Sequence, residues 1–418
     1  MDDIIYPKIN LKILSQRLRD IRTDNDYSLR GISRSENIAH TVISDIENGK
    51  IYPNVETLKG LYARVNVNLL IDEKKLEAYK EIFETIKDSV YYSENNMVIT
   101  LMKKVRKDAH TLTHSLIFVD FLLVCALNDI VIKKHKNSEH LDKLESYYAL
   151  LSDRQKIEFN LLKGMVNHKR HAFRKAAMYY ERNLTLKGYK KALAMTYSHL
   201  SRLYKQTYHT YNTIEYGKIA SRLHSEEANL YEKLNVDALV ANELINIGRF
   251  DDAKQVLNTV SITVEQKNGK LEIIQRYLHF LWSYWFYKQG DYEEAYKRLL
   301  IHTSNEPSYY YYQANILEKM NRIDEAIDVL DNASRDTYVL DDPLYKHLVL
   351  LYMYDLSKAY DHPDFKKTLS NTLDNEHYVQ DYVIYKHIHE ISLRYYGYHN
   401  MQDDALALMQ AFFDREMF

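Results

Sequence analysis

A short stretch of the chain, residues 38–49, carries polar side chains at a spacing suited to reading the edges of base pairs. Its sequence is IAHTVISDIENG. The apolar residues recur at helical spacing and predict one buried stripe: Ile38, Val42, Ile43 and Ile46. The opposite face is left to side chains that form hydrogen bonds: His40, Thr41, Ser44 and Asp45. Gly49 follows, where helices usually end in a left-handed residue, so we predict that the helix ends here. A helix with such a polar face can enter the major groove of DNA.

The residues around this stretch place it in a small helical domain. Ser28 is a candidate N-cap for a helix over residues 28–35, and Glu36 with Asn37 form the turn before the next helix. Residues 14–70 resemble the five-helix lambda-repressor-like domain of the Xre family. The matching segments are RLRDIR from Arg17 to Arg22, Ser28 with Leu29, Ile43 with Ser44, IENG over residues 46–49, and Pro53 with Glu56, Thr57 and Leu58.

This resemblance implies a DNA-binding head over residues 1–70 whose partner is a double-stranded DNA operator. The side chains expected to contact DNA are Arg17, Arg30, Arg34, His40, Thr41, Ser44 and Lys50. The head is only weakly basic, with ten Lys or Arg against nine Asp or Glu, and the whole chain has a net charge of -2. Because one such head binds phosphate weakly, we expect a homodimer that presents two heads to a two-fold operator.

The rest of the chain contains a repeated turn. The whole sequence has ten glycines and five prolines, so residues 71–418 are predicted to be almost entirely helical. Three six-residue strings recur, each ending in Ala: GRFDDA at 248–253, GDYEEA at 290–295 and NRIDEA at 321–326. Each Ala is followed four positions later by Leu257, Leu299 or Leu330. Gly or Asn permits a left-handed turn, and Ala lets two helices approach closely.

These strings resemble the turn of a tetratricopeptide repeat. Weaker copies are centred on Ala176, Thr213, Thr368 and Ala405, and earlier helical hairpins are predicted over residues 75–107 and 111–151. The implied fold is all-α, with the lambda-repressor-like head followed over residues 71–418 by a right-handed superhelical tetratricopeptide-repeat solenoid. Such an array has a concave groove, because each hairpin packs only against its neighbours.

The combined plan resembles the RRNPP class of peptide-pheromone receptors, named after Rap, Rgg, NprR, PlcR and PrgX. Receptors used in phage lysis-lysogeny communication share this plan. The resemblance implies a homodimeric transcription regulator of quorum-sensing type. Its groove would bind a short signalling peptide, and the peptide would alter binding to the operator.

The same resemblance places the peptide on the first helix of each hairpin. In such arrays an Asn directly after the small packing residue often binds the ligand backbone, and Asn242 and Asn315 occupy that position. Arg202 and Tyr284 stand at the equivalent positions of other repeats, and Arg202 suits a carboxylate. One turn further on lie Lys205, Gln206, Asn246 and Tyr287. For each residue the alternative is an ordinary solvated position on a helix.

Patterns typical of enzymes and metal sites are not found in the sequence. The eighteen histidines include no His-Glu-x-x-His, and there is neither a glycine-rich phosphate loop nor a nucleophile elbow. We therefore expect no catalytic site, metal or cofactor. The single cysteine, Cys125, lies in the apolar window 116–132, which we interpret as a buried helix because three polar residues interrupt it. The first ten residues, MDDIIYPKIN, lack a secretory pattern, so we expect a cytoplasmic protein with no membrane partner.

Two alternative functions remain open. Leu29 stands where the Xre family usually has Gln, and Asp45 stands where a polar or basic residue is common. These departures leave open a Rap-like protein-interaction scaffold that sequesters a signalling partner. A peptide-independent Xre repressor is the other alternative.

Overall fold

The structure, a computed structural model, describes residues 8–36, 38–267, 271–301, 306–374 and 382–416, so Asn37 of the predicted turn lies outside the described residues. Within these ranges every regular element is helical, and an isolated bridge joins Leu70 to Ser115. Contacts divide the chain into two compact units, Met1–Leu203 with Ile219–Lys233, and Tyr204–Lys218 with Leu234–Phe418. The boundary predicted after residue 70 lies inside the first unit and stays a prediction of where the head ends.

The first four helices pack on one another within the first unit. They are α1 (Lys8–Asp24), α2 (Leu29–Glu36), α3 (His40–Glu47) and α4 (Val55–Arg64). Ser28 caps α2 as predicted, because its hydroxyl accepts from the backbone N–H of Gly31 at 3.0 Å. Gly49 has φ +69° just after α3, and the backbone N–H of Lys50 donates to the Asp45 carbonyl at 2.8 Å. These local signals therefore define where α2 begins and α3 ends.

Seven helices follow between residues 73 and 184, all in the first unit. They are α5 (Glu73–Tyr91), α6 (Asn95–Lys107), α7 (Ala109–Thr113), α8 (Phe118–Leu127), α9 (Glu139–Glu145), α10 (Asp153–Lys169) and α11 (Phe173–Leu184). The hairpin predicted over residues 75–107 is confirmed as α5 and α6. The one predicted over 111–151 is shorter than expected, with α8 packed against α9 and a π-helical turn at Asn128–Ile132. Asp129 explains this turn, because its carboxylate accepts hydrogen bonds from Lys133 and Ser138.

The apolar window belongs to the core of the first unit. Residues of α8 from Phe118 to Ala126 are buried apart from Asp120, and Cys125 is 6% exposed, as expected for a small buried hydrophobe. In the part of the chain that the structure describes, we find no helix that is both long and apolar enough to span a membrane.

The remaining described helices follow in chain order. They are α12 (Lys190–Gln206), α13 (Thr210–Glu226), α14 (Leu230–Asn246), α15 (Phe250–Glu265), α16 (Glu272–Lys288), α17 (Tyr292–Leu300), α18 (Pro307–Lys319), α19 (Ile323–Ala333), α20 (Thr337–Asp341), α21 (Tyr345–Leu356), α22 (Phe365–Leu373), α23 (Tyr382–Tyr398) and α24 (Gln402–Glu416). Within the second unit α16 packs on α15 and α17, and α18 packs on α17 and α19.

The predicted repeat turns are confirmed. Gly248, Gly290 and Asn321 all have φ between +60° and +84°, and each lies between two helices. The Ala that ends each string is fully buried, and the Leu four positions later is at most 3% exposed. Ala176, Thr213 and Thr368 are buried as well, whereas Ala405 on the last helix, α24, is half-buried and Met409 is 42% exposed.

Candidate functional site

The first candidate surface is the outward face of α2 and α3. Most of the side chains expected to contact DNA are exposed there: Arg30, Arg34, His40, Thr41 and Lys50. Ser44 is half-buried, and its hydroxyl accepts from the Asn48 amide at 3.3 Å. The opposite side of α3 is apolar, with Ile43 and Ile46 at most 2% exposed.

Asp45 is less unfavourable to an anion than its charge suggests. Its carboxylate lies 3.2 Å from the Lys50 ammonium, so the two charges largely offset each other at this end of α3. The pair is well exposed and contributes little to stability. Arg30 and Arg34 on α2 are exposed and add two positive charges to this candidate surface.

Arg17 is placed differently from the other predicted DNA contacts. Its guanidinium donates to the Thr113 carbonyl and lies 3.8 Å from the centre of the Phe118 ring. Burial lowers the pKa of this guanidinium. The side chain is therefore directed toward the end of α7 and the start of α8.

The second candidate surface lies on the first helices of three successive hairpins in the second unit. Tyrosines and asparagines link α14 to α16, and α16 to α18. The Asn242 amide donates to the Tyr277 hydroxyl at 3.2 Å, and the Tyr284 hydroxyl donates to Asn246 Oδ1 at 2.8 Å. The Tyr287 hydroxyl donates to Asn315 Oδ1 at 2.7 Å. The structure thus brings five of the predicted peptide contacts into one run of bonded pairs.

Two atoms in this run retain unused hydrogen-bonding capacity. Asn242 Oδ1 and Asn315 Nδ2 have no hydrogen-bond partner among the described residues, although the other end of each amide is held by a tyrosine. Both ends of the Asn246 amide have a partner within the protein, because its Nδ2 donates to the Glu243 carboxylate at 3.1 Å and its Oδ1 accepts from Tyr284. An acceptor at Asn242 and a donor at Asn315 suit the N–H and the C=O of an extended peptide.

An aromatic row on α16 completes this surface, and sequence reasoning identified only half of it. The rings of Tyr277, Phe280, Tyr284 and Tyr287 stack in succession with centroid separations of 6.1 to 6.4 Å. Tyr312 of α18 contacts Phe280 edge-on at 4.8 Å. Tyr277, Phe280 and Tyr312 were not predicted, although the spacing of three, four and three residues along α16 marks one helical face.

The other three predicted peptide contacts, Arg202, Lys205 and Gln206, belong to α12. Arg202 belongs to the first unit, where its guanidinium forms an ion pair with Glu232 at 2.8 Å. Lys205 and Gln206 belong to the second unit and are half-buried at the end of α12. Arg202 therefore already has a carboxylate partner within the protein.

The two tryptophans and a buried histidine of the second unit have partners inside the protein. Trp285 donates to the Phe250 carbonyl at 2.9 Å and Trp282 to Ser261 at 3.1 Å, so both pack between α15 and α16. His387 bonds to the Tyr311 hydroxyl at 2.7 Å, and burial lowers its pKa to about 4. Among the described residues no group of three His, Cys, Asp or Glu is arranged to hold a metal ion.

Solved structures match over most of the chain, whereas no protein-family model and no curated protein matches its sequence. A Rap protein complexed with Competence and Sporulation Factor matches with 15% identity and a TM-score of 0.64, over 82% of this chain and 98% of that one. The apo form of the quorum sensor NprR from B. thuringiensis matches with 15% identity and a TM-score of 0.60, over 81% and 99%. NprR in complex with its cognate peptide NprX matches with 16% identity and a TM-score of 0.56, over 79% and 99%. The all-α, helical-repeat part of the predicted fold is thereby confirmed, because this chain has the helical-repeat fold of the Rap and NprR structures. The lambda-repressor-like head stays a prediction.

Proposed function

We propose that the protein is a DNA-binding transcription regulator whose binding to an operator is controlled by a short signalling peptide. The peptide lies on the face formed by α14, α16 and α18. The observation that carries this proposal is the run of tyrosine-asparagine pairs with unused hydrogen-bonding atoms at Asn242 and Asn315. Support also comes from the solved Rap and NprR structures, two of which hold a peptide or signalling factor.

An extended peptide fits this face for a physical reason. Its backbone N–H and C=O groups can pair with Asn242 and Asn315 whatever its side chains are, which provides affinity. The half-buried rings of Tyr277 and Phe280 offer contact area at low entropic cost, which provides selection among peptide side chains. The exposed face of α3 supplies His40 and Thr41 for base edges, and we propose a homodimer that presents two such faces.

The first experiment is binding of the purified protein to its own upstream intergenic DNA, with and without synthetic peptides from the C-terminus of an adjacent small reading frame. A peptide-dependent change in DNA affinity supports the proposal. Replacing Asn242 and Asn315 together by Ala should weaken peptide binding at least about tenfold, since each loses a backbone hydrogen bond. Asn332→Ala, on the exposed side of the second helix α19, is the matched control and should change nothing.

A second candidate, the Rap-like interaction scaffold, is favoured by the match to the Rap structure and by Leu29 and Asp45. The double substitution Thr41→Asp and Ser44→Asp separates the two functions. Loss of DNA binding by an intact dimer supports the regulator. Unchanged biological output from the same variant supports the scaffold. DNA binding that no peptide alters indicates the peptide-independent repressor.

A further inference from the structure

The first helix, α1, contacts two different parts of the first unit through two arginines. Arg22 holds α3, because its guanidinium donates two hydrogen bonds to the Glu47 carboxylate at 2.6 and 2.9 Å. Arg17 lies more than one turn earlier and holds the segment 113–118, which connects α7 to α8. A rigid helix between these two contacts couples the position of α3 to the position of that segment.

The Arg17 contact has the chemistry of a docking site. Thr113 is the last residue of α7, so its carbonyl lacks an intrahelical partner and is available to the guanidinium. Phe118 offers the face of its ring at 3.8 Å, a geometry that favours a cation. A guanidinium stays protonated even when it is largely buried, so both contacts hold a full positive charge.

Other bonds surround the same contact. The backbone N–H of Leu70 donates to the His114 carbonyl at 2.8 Å, and Leu70 pairs with Ser115 in a parallel bridge. Asp20, one turn after Arg17, accepts from the Tyr147 hydroxyl at 3.4 Å. The ring of Tyr147 in turn meets Phe118 edge-on at 6.4 Å. Three segments that are distant in sequence therefore meet around the Arg17 guanidinium.

We infer that Arg17 is a positioning residue and that it contacts no phosphate. Its contact docks the DNA-binding head on residues 113–118 and so fixes the direction in which α3 faces. The part of this inference that concerns DNA binding rests on the proposed function. The docking contact itself stands without it. Movement of α7 and α8 would be transmitted to α3 through α1.

Hydrogen exchange of the full-length protein tests the docking without any DNA. The Leu70 amide reports the contact, because it is protected by the His114 carbonyl. Arg17→Ala and Phe118→Leu should each speed exchange at Leu70 about tenfold or more, and the double variant should add little to either change. Arg17→Lys, which keeps a cation over the ring, should restore part of the protection. Unchanged exchange at Ile43 shows that the head remains folded.

The salt dependence of DNA binding tests whether Arg17 contacts a phosphate. A short duplex of arbitrary sequence is the probe. Losing a phosphate contact reduces the slope of log affinity against log salt by about one. Arg34→Ala, an exposed matched control on α2, should reduce the slope in this way, whereas Arg17→Ala should leave the slope unchanged.

The outcomes separate the two claims. If Arg17→Ala reduces the slope as Arg34→Ala does, and Leu70 exchange is unchanged, then Arg17 is a phosphate contact and the inference is wrong. If the unmodified protein binds no duplex, the proposed DNA-binding function is wrong, and so is the claim that Arg17 positions α3 on DNA. Exchange at Leu70 then still decides whether Arg17 docks the head.

Discussion

At the scale of single residues, the Arg22 and Glu47 pair is the strongest electrostatic contact between α1 and α3. Both side chains are largely buried, at 11% and 3% exposure, and the guanidinium and carboxylate meet in a two-pronged geometry. Hydrogen bonding to Glu47 raises the pKa of Arg22. A buried pair of this kind is costly to break, because the remaining charge is left without its partner.

Glu47→Gln should therefore lower the free energy of unfolding by about 3 kcal/mol, measured by urea titration. The matched control is Asp252→Asn, which breaks the exposed Arg249 pair at 2.6 Å. That change should cost less than about 1 kcal/mol. Equal losses of unfolding free energy in the two variants would show that burial does not make the Arg22 and Glu47 pair more costly to break.

At the scale of helices, the pair α10 and α11 depends on a glycine in the middle of a helix. A Cβ atom at Gly164 of α10 would lie 2.2 Å from the ring of Tyr180 on α11. That ring is fully buried and stacks on His199 with a centroid separation of 5.6 Å, so it has little room to move. Gly164 thus allows the two helices to approach closely.

Gly164→Ala should destabilise the protein by about 1 to 3 kcal/mol through overpacking, although Ala is the better helix former. Gly397→Ala in α23 is the control, because no atom lies within 4 Å of the added Cβ. We expect that variant to be as stable as the parent protein or slightly more stable. Thermal or urea unfolding of both variants gives the comparison, and a stable Gly164→Ala protein would show that the ring can move aside.

At the scale of the whole molecule, buried histidines contribute to the way stability changes with pH. His224 bonds to the Tyr91 hydroxyl at 2.9 Å and to Ser198 at 2.8 Å. Burial lowers its pKa to about 4, as it does for His387, and the pKa of His199 is also lowered well below its ordinary value. These side chains are neutral in the folded protein over a range in which unfolded histidine is charged.

The direction in which pH changes stability follows from proton uptake by the unfolded chain. Below about pH 6.5 the unfolded chain binds protons that the folded chain does not, so stability present above this pH is lost as the pH falls. Each such histidine should cost up to about 2 kcal/mol between pH 6.5 and pH 5. Urea midpoints at pH 7.5 and pH 5 measure the loss. His224→Gln should reduce the pH dependence, whereas the exposed His135→Gln should not.

Local signals in the sequence determined the helices and their ends. Ser28, Gly49, Gly248 and Asn321 act within a few residues of themselves, since a cap or a left-handed turn involves only the neighbouring backbone. Buried stripes such as Ile43 with Ile46 also follow from spacing along one helix. The all-α class and the repeat turns could therefore be predicted from the sequence.

Only the tertiary structure decided which way the functional side chains point. The partner of Arg17 lies 96 residues away, and the asparagine and tyrosine partners on α14, α16 and α18 are 28 to 38 residues apart. A charged or amide group can satisfy its hydrogen bonds with solvent, with a ligand or with another helix. Sequence spacing cannot distinguish these choices. They depend on how closely the hairpins pack and on which groups that packing brings within hydrogen-bonding distance.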